Sequence, residues 1–68
     1  MKREPKDHPL LNWARSILRE QGKTETICLM AWWCTTGRVV HGPERAAERT
    51  EALSLALQEQ ANKEMAGL

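Results

Sequence analysis

The chain has 68 residues, of which 41% are hydrophobic and 28% are charged, and its formal net charge is +1. One small domain is expected at this length, and such a domain buries only about 60% of the surface that its unfolded chain exposes. The near-neutral charge excludes a global field that attracts nucleic acid or anionic lipid.

The first six residues are polar, and we predict a flexible tail over residues 1–6 and a single helical domain over residues 7–68. The tail lacks the apolar stretch of a secretory signal, and we therefore expect a cytoplasmic protein with no membrane contact. Asp7 is predicted to be the N-cap of a first helix that has Pro9 in its first turn and ends at Gly22.

Apolar residues recur in this first segment at spacings of three and four, which is the pattern of an amphipathic helix. They are Leu10, Trp13, Ala14 and Ile17. Arg15 and Arg19 fall on the opposite side, together with Lys23 just beyond the helix. This basic side is a solvated helix face or a set of phosphate contacts.

Residues 27–34 read Ile-Cys-Leu-Met-Ala-Trp-Trp-Cys, eight apolar positions in succession. We predict a second helix over residues 24–36, capped by Thr24 and ended by Gly37. A helix that is apolar on all sides must be covered on all sides. Because a short chain has little else to cover it with, part of the cover is expected from a second copy or another protein.

A β-hairpin is the alternative for this region, with residues 26–33 paired to residues 35–40, because Trp and β-branched residues favour strands. It would give an α+β fold of helix, hairpin and helix. The segment between the two glycines is long for one strand and normal for a helix. We therefore predict an all-α, three-helix domain with a buried apolar middle segment.

Residues 38–42 are predicted to be a connector before a third helix. That helix should begin at Pro43, whose φ angle is already helical, with Glu44 near its positive end. It should reach Glu64 or beyond and be closed by Gly67. An apolar seam is predicted along it, formed by Ala46, Thr50, Leu53, Leu57 and Ala61.

The predicted core draws on all three helices and consists of Leu10, Trp13, Ile17, Ile27, Met30, Leu53 and Leu57. Cys28 and Cys34 lie six residues apart, about 9 Å along a helix, which is too far for a disulfide. They are predicted to be buried free thiols. With His8 and His41 they form no pattern typical of a metal site, and no metal or cofactor is expected.

Adjacent Trp residues on a helix point about 100° apart, so Trp32 and Trp33 cannot both enter one small core. At least one is expected at the surface, where Trp is a frequent anchor of protein interfaces. The residues predicted to bind a partner are Trp32, Trp33 and Met30, rimmed by Arg15, Arg19, Arg38 and Arg45.

The expected function is that of a small non-enzymatic regulator or inhibitor that forms a homodimer and occupies the surface of a larger protein. Small proteins of this kind are often encoded by phages and other mobile elements, a prior that comes from size alone. No nucleophile lies beside a base at a spacing that predicts catalysis, and no small-molecule substrate is expected.

A nucleic-acid-binding regulator is the alternative, with phosphates held by the basic helix faces. One is the basic side of the first helix, and the other lies around the start of the third helix and consists of Arg38, His41, Arg45 and Arg49. The second helix would be the reading helix of a helix-turn-helix, yet its apolar residues offer nothing to base edges.

Overall fold

The structure is a computed structural model that describes residues 8–67. Four α-helices make up this part of the chain, and no strand occurs in it. They are α1 (Leu11–Gln21), α2 (Lys23–Cys34), α3 (Thr36–His41) and α4 (Pro43–Ala66). The all-α fold is confirmed and the hairpin alternative is not supported. The predicted tail over residues 1–6 and the predicted cap at Asp7 lie outside the described residues.

A short turn precedes α1, so Pro9 lies before the helix and not in its first turn. The backbone N–H of Leu10 donates to Nδ1 of His8 at 3.1 Å, and that of Leu11 donates to the His8 carbonyl at 3.1 Å. These two bonds satisfy amide groups that the first turn of a helix cannot pair internally.

Gly22 and Gly42 each end one helix and begin the next. Their φ angles are 94° and 95°, with ψ of 170° and 152°. This backbone region is essentially accessible to glycine alone. The Gly22 carbonyl accepts from the N–H of Thr26, and the Thr26 hydroxyl donates to it at 2.7 Å. The N-cap of α2 is therefore Gly22, and the prediction of Thr24 was wrong.

The predicted connector over residues 38–42 was also wrong, because residues 36–41 form α3. The helical conformation is interrupted at Thr35, the residue between α2 and α3. The Thr35 hydroxyl donates to the Ala31 carbonyl at 2.9 Å. Gly37 lies buried inside α3 and does not end a helix. It is a place of close packing, since a Cβ there would meet the Trp33 ring at 2.8 Å.

The four helices form a slab of 40 × 34 × 15 Å. Helix α4 contacts each of the other three, and α2 also contacts α1 and α3. At interaxial distances of about 8–10 Å, a thickness of 15 Å accommodates two layers of helices. Helix α4 is one layer, and the three shorter helices lie across it with α2 in the middle.

The buried core lies between α1 and α4, and its residues are small or medium in size. They are Leu11, Ala14, Leu18, Ala52, Leu53 and Ala56. Ala46 is also buried, but it lies outside this cluster, nearer the start of α4. In α4, Ala52 and Ala56 are buried, whereas Thr50 is half-buried and Ala61 is exposed. The buried face is therefore wider than the predicted seam, because three helices pack across α4.

Of the predicted core residues, Leu53 is fully buried. A further five are half-buried and pack against the core: Leu10, Trp13, Ile17, Met30 and Leu57. Ile27 was predicted wrongly, since 47% of its surface is exposed. It lies on the side of α2 away from Thr26, the one residue of that helix that is buried. The apolar middle segment is thus only half covered.

None of the helices within residues 8–67 combines the length and the apolar character needed to cross a bilayer.

Candidate functional site

One side of α2 packs against the rest of the molecule. Thr26 is buried, and Leu29, Met30 and Trp33 are half-buried against the core. Their spacing of three and four residues makes one continuous stripe along the helix. Met30 and Trp33, both predicted to bind a partner, therefore face mainly inward.

The opposite side of α2 is apolar as well. Ile27, Cys28, Ala31 and Trp32 are all exposed, and 39% of the Trp32 surface remains open. We call these four residues the α2 face. A helix on a protein surface normally turns polar or charged residues outward. No charged residue occurs between Glu25 and Arg38, so the α2 face is uncharged along its whole length.

Both thiols are free, as predicted, but they are exposed and not buried. The thiols are exposed because Thr26 and Trp33 occupy the inward-facing positions of α2, which leaves the cysteines on the other sides of the helix. Cys34 borders α4, and its Sγ donates to Oγ1 of Thr50 at 3.7 Å. Cys28 is part of the α2 face.

Helix α3 adds a second exposed apolar element. Val39 is 86% exposed and Val40 is 62% exposed. We call this pair the α3 ridge. Gly37 is the buried residue of α3. His41, one turn later, is exposed, and its ring lies 4.9 Å from that of Trp33. Two neighbouring exposed valines are an uncommon use of apolar side chains in a helix.

The exposed Trp32 is held in place by an aromatic cluster. Its ring lies edge-on to Trp33 at 5.1 Å and 6.0 Å from the His41 ring. Edge-to-face pairs at this distance contribute about 0.5–1.5 kcal/mol beyond the area they bury. Gly37 lets α3 approach the cluster, because a Cβ there would also come within 3.3 Å of Trp32. Trp32 is therefore a fixed surface residue at the junction of α2 and α3, which confirms the prediction that one Trp is exposed.

Arg49 of α4 completes this region; it was predicted only as a phosphate contact of the nucleic-acid alternative and not as a partner-binding residue. Its guanidinium carbon lies 4.6 Å from the Trp13 ring centre and 5.6 Å from that of Trp33. Its Nε is buried and has no hydrogen-bond partner in the part of the chain that the structure describes. Position 49 follows the buried Ala46 by three residues, a spacing that points it toward the inner side of α4. That spacing was the available signal.

Arg15 does not belong to a free basic rim. Its Nε donates to Oε1 of Glu59 at 2.9 Å and its Nη2 to Oε2 at 2.6 Å, a two-point contact between α1 and α4. Hydrogen bonding by the Arg15 guanidinium, helped by its charge, holds the pKa of the Glu59 carboxyl below its ordinary value. The same contact raises the pKa of Arg15.

Lys23 is engaged in the same way, with its Nζ 3.2 Å from Oε1 of Glu64. Hydrogen bonds from Gln60 and then from Lys23 lower the pKa of the Glu64 carboxyl. Two of the three basic residues predicted on this side thus join the start of the chain to α4.

Arg19, Arg38 and Arg45 are exposed and have no ion pair with any residue in the range 8–67. Arg19 lies apart from the other two, whose grooves meet at Pro43. Arg38 lies with Cys34 and Val39 along a shallow groove, whereas Arg45 lies in another groove. Arg19 lines a third groove between α1 and α4. Of the predicted rim, Arg38 is the member beside the α3 ridge.

Within residues 8–67, no three His, Cys, Asp or Glu side chains are placed to hold a metal ion together. Comparison of the chain with protein-family models, with curated proteins and with solved structures finds no match.

Proposed function

We propose that this protein is a non-enzymatic regulator or inhibitor that works by binding a larger protein and occupying part of its surface. The observation that carries the proposal is the open apolar side of α2 and α3, with Trp32 at their junction. A cytoplasmic location fits the two exposed free thiols, since thiols stay reduced in that compartment.

Exposed apolar surface is unfavourable in water. Each square ångström of apolar surface removed from water stabilises a complex by about 25 cal/mol. Contiguous apolar patches on single chains are small unless they bind something. The α2 face and the α3 ridge concentrate the large exposed apolar residues in neighbouring helices, and the only other one within residues 8–67 is Met65 near the end of α4. This distribution favours protein contact as the use of the surface.

Two observations favour binding over catalysis. Cys34 contacts the hydroxyl of Thr50, which is not a base, and His41 stacks on Trp33. Nucleophilic catalysis requires a nucleophile within hydrogen-bond reach of a base. The grooves of this thin molecule are also open to solvent, whereas small-molecule sites are concave and enclose most of the ligand.

The nucleic-acid alternative has lost part of its support. Arg15 and Lys23, two of its phosphate contacts, are each bound to a carboxylate. Of the three arginines with no ion pair among residues 8–67, Arg19 lines a groove that shares no residue with the grooves of Arg38 and Arg45, so the three do not line one common groove. We therefore propose protein contact alone.

The test is affinity capture by the immobilised chain from an extract of its source cells, performed at high salt and after nuclease treatment. One variant carries both Val39→Ser and Val40→Ser, a second carries Trp32→Ser, and Gln58→Ser on the exposed side of α4 is the matched control. We expect a protein captured in fixed proportion by the wild type and the control and lost with both surface variants. Equal capture by all four chains, or capture abolished by salt or nuclease, would contradict the proposal.

A further inference from the structure

We infer that the α2 face is closed by a second copy of this chain, with α2 packed antiparallel against α2 of the partner subunit. The inference rests on the proposed function, because it names the occupant of one part of the proposed contact surface. It leaves the α3 ridge for the larger protein, with Trp32 at the border between the two contacts, next to His41 of α3.

The layering of the molecule leaves one side of α2 uncovered. Helix α2 touches α1 and α3 at its sides and α4 beneath, so its remaining side is the outer surface of the slab. An all-round apolar helix belongs in an interior. Two slabs of 15 Å stacked through α2 make a four-layer particle in which α2 is interior. Domains of this size commonly depend on oligomerisation for a sufficient core.

The sizes of the side chains on the α2 face suit close packing against another helix. The middle of the α2 face is formed by Cys28 and Ala31, with the larger Ile27 and Trp32 at its flanks. Small residues in the middle allow two helix axes to approach to about 8 Å, the lower end of the usual range. Large flanking residues then lie beside the neighbouring helix. A face with small residues in its middle and large residues at its flanks fits against a second helix face of the same shape.

Charge selects a second copy and also the direction of packing. A two-fold interface places the same patch on both sides, so it requires a patch that does not repel itself. The α2 face meets that condition because residues 26–37 carry no charge. Glu25 precedes this segment and Arg38 follows it, both exposed and without an ion pair among residues 8–67.

Antiparallel packing brings the end that carries Glu25 toward the end that carries Arg38 of the partner subunit, twice by symmetry. Parallel packing would instead bring like charges together at both ends. Opposite charges at the rim of an interface favour association and fix its orientation. Nucleic acid does not suit this surface, since its binding requires cationic groups where the α2 face has none.

The first experiment is the solution mass by light scattering over a dilution series. We expect twice the chain mass for the wild type and for Gln58→Glu, a control on the exposed side of α4. Ala31→Glu should be a monomer with unchanged helix content by circular dichroism, because Ala31 is exposed in the single chain. A dimer that Ala31→Glu leaves intact would overturn the inference.

The second experiment tests the direction of packing through the dissociation constant. Glu25→Lys and Arg38→Glu should each weaken the dimer several-fold, and the double variant should return toward the wild-type value. Glu25→Gln should weaken an antiparallel dimer, whereas it would strengthen a parallel one by removing repulsion. Strengthening by Glu25→Gln would therefore overturn the antiparallel assignment.

The two proposals fail in different ways. A wild-type chain that is monomeric at every concentration overturns the inference. If capture of the larger protein by that monomer still depends on Val39 and Val40, the proposed function is upheld. If the chain forms the expected dimer but captures nothing, the inference is upheld and the proposed function is overturned.

Discussion

At the scale of single residues, Gly37 determines where the aromatic cluster lies. It is buried beneath the rings of Trp32 and Trp33, where a side chain would come within 2.8 Å of a ring carbon. Rings are rigid and cannot fold away from such a contact. The exposure and orientation of Trp32, on which the contact surface depends, therefore follow from the absence of a side chain five residues later.

Gly37→Ala is expected to destabilise the protein. Alanine contributes about 0.5–1 kcal/mol through helix propensity, whereas overpacking of a close contact costs about 1–3 kcal/mol. We expect a net loss of about 1 kcal/mol in urea unfolding and an altered near-ultraviolet dichroism of the indoles. Thr36→Ala, an exposed change in the same helix, is the control and should be neutral. A more stable Gly37→Ala would show that the two rings can move.

Arg49 affects the stability of the fold in two opposing ways. Its cation–π contacts with Trp13 and Trp33 are worth about 0.5–2 kcal/mol, while an unpaired buried donor such as its Nε costs about 1–3 kcal/mol. Arg49→Met removes both, so we expect a change of less than about 1 kcal/mol in unfolding free energy together with a clear change in Trp fluorescence. The exposed Arg45→Met serves as the control for fluorescence. A loss well above that limit would mean that the cation–π contacts dominate.

At the scale of elements, two glycines set the angles between helices. Gly22 and Gly42 adopt nearly the same backbone conformation, and an ideal Cβ at either position would contact nothing within 4 Å. Each is required for its dihedral angles and not for space. The four-helix chain is thus divided by two glycine junctions and by one break at Thr35.

Gly42→Ala isolates this backbone effect. We expect it to lower the free energy of unfolding by about 1–3 kcal/mol, the usual cost of a residue held in this region. Gly67→Ala is the matched control, because the φ of Gly67 is −78° and suits any residue. It should be neutral or stabilising by about 0.4–1 kcal/mol, since alanine restricts the unfolded chain. Equal effects of the two changes in thermal unfolding would contradict the assignment.

The attachment of α1 to α4 should depend on pH. Arg15 lowers the pKa of Glu59 in the folded chain. The contribution of this pair to the free energy of unfolding is therefore fully present above the ordinary carboxyl pKa of 4.5, and it is lost as the pH falls through the lowered pKa. The pair is exposed, so the effect on the melting temperature should be a few degrees at most and smaller in high salt.

Melting curves recorded from neutral to acid pH check this dependence. Glu59→Gln should melt lower than the wild type at neutral pH and converge with it in acid. Glu48→Gln, which removes an exposed carboxylate with no ion pair among residues 8–67, should run parallel to the wild type at all pH values. A constant difference for Glu59→Gln across the range would mean that Arg15 stabilises the fold without the charge of Glu59.

The elements differ in how far the sequence predicts them. Regular apolar spacing identified α1, and Pro43 and Gly67 marked the ends of α4. The separation of α2 from α3 could not be predicted, because an all-apolar run contains no periodicity to interrupt. The break at Thr35 depends on α3 packing against Trp33 and α4, which is a tertiary effect.

At the scale of the whole molecule, an uncovered apolar side could be predicted, but the composition of that side could not. An uninterrupted apolar run in a short chain implies an uncovered side. Which side remains open depends on Thr26, a polar residue that takes a buried position by donating to the Gly22 carbonyl. Ion pairing removed Arg15 from the predicted rim, and pairing across 44 residues has no local signature.

Thiol labelling checks the proposed dimer, and Cys34→Ser does so without a change in the α2 face itself. In Cys34→Ser, the remaining Cys28 should react slowly in concentrated solution and faster on dilution, because the partner subunit covers it. In Cys28→Ser, the reaction of Cys34 should depend less on concentration, since Cys34 lies at the border with α4. A Cys28 rate that does not vary with dilution would argue against coverage by a second copy.

The 15 Å thickness of the slab leaves every peptide group within about one helix diameter of bulk water. In an isolated chain, amide hydrogens should therefore exchange with deuterium quickly through most helices and slowly only along the inner side of α4, around Leu53 and Ala56. Slow exchange in α2 would require another layer of protein above it. The rates of amide hydrogen exchange in α2 thus report directly whether the chain is a monomer or is covered by another protein.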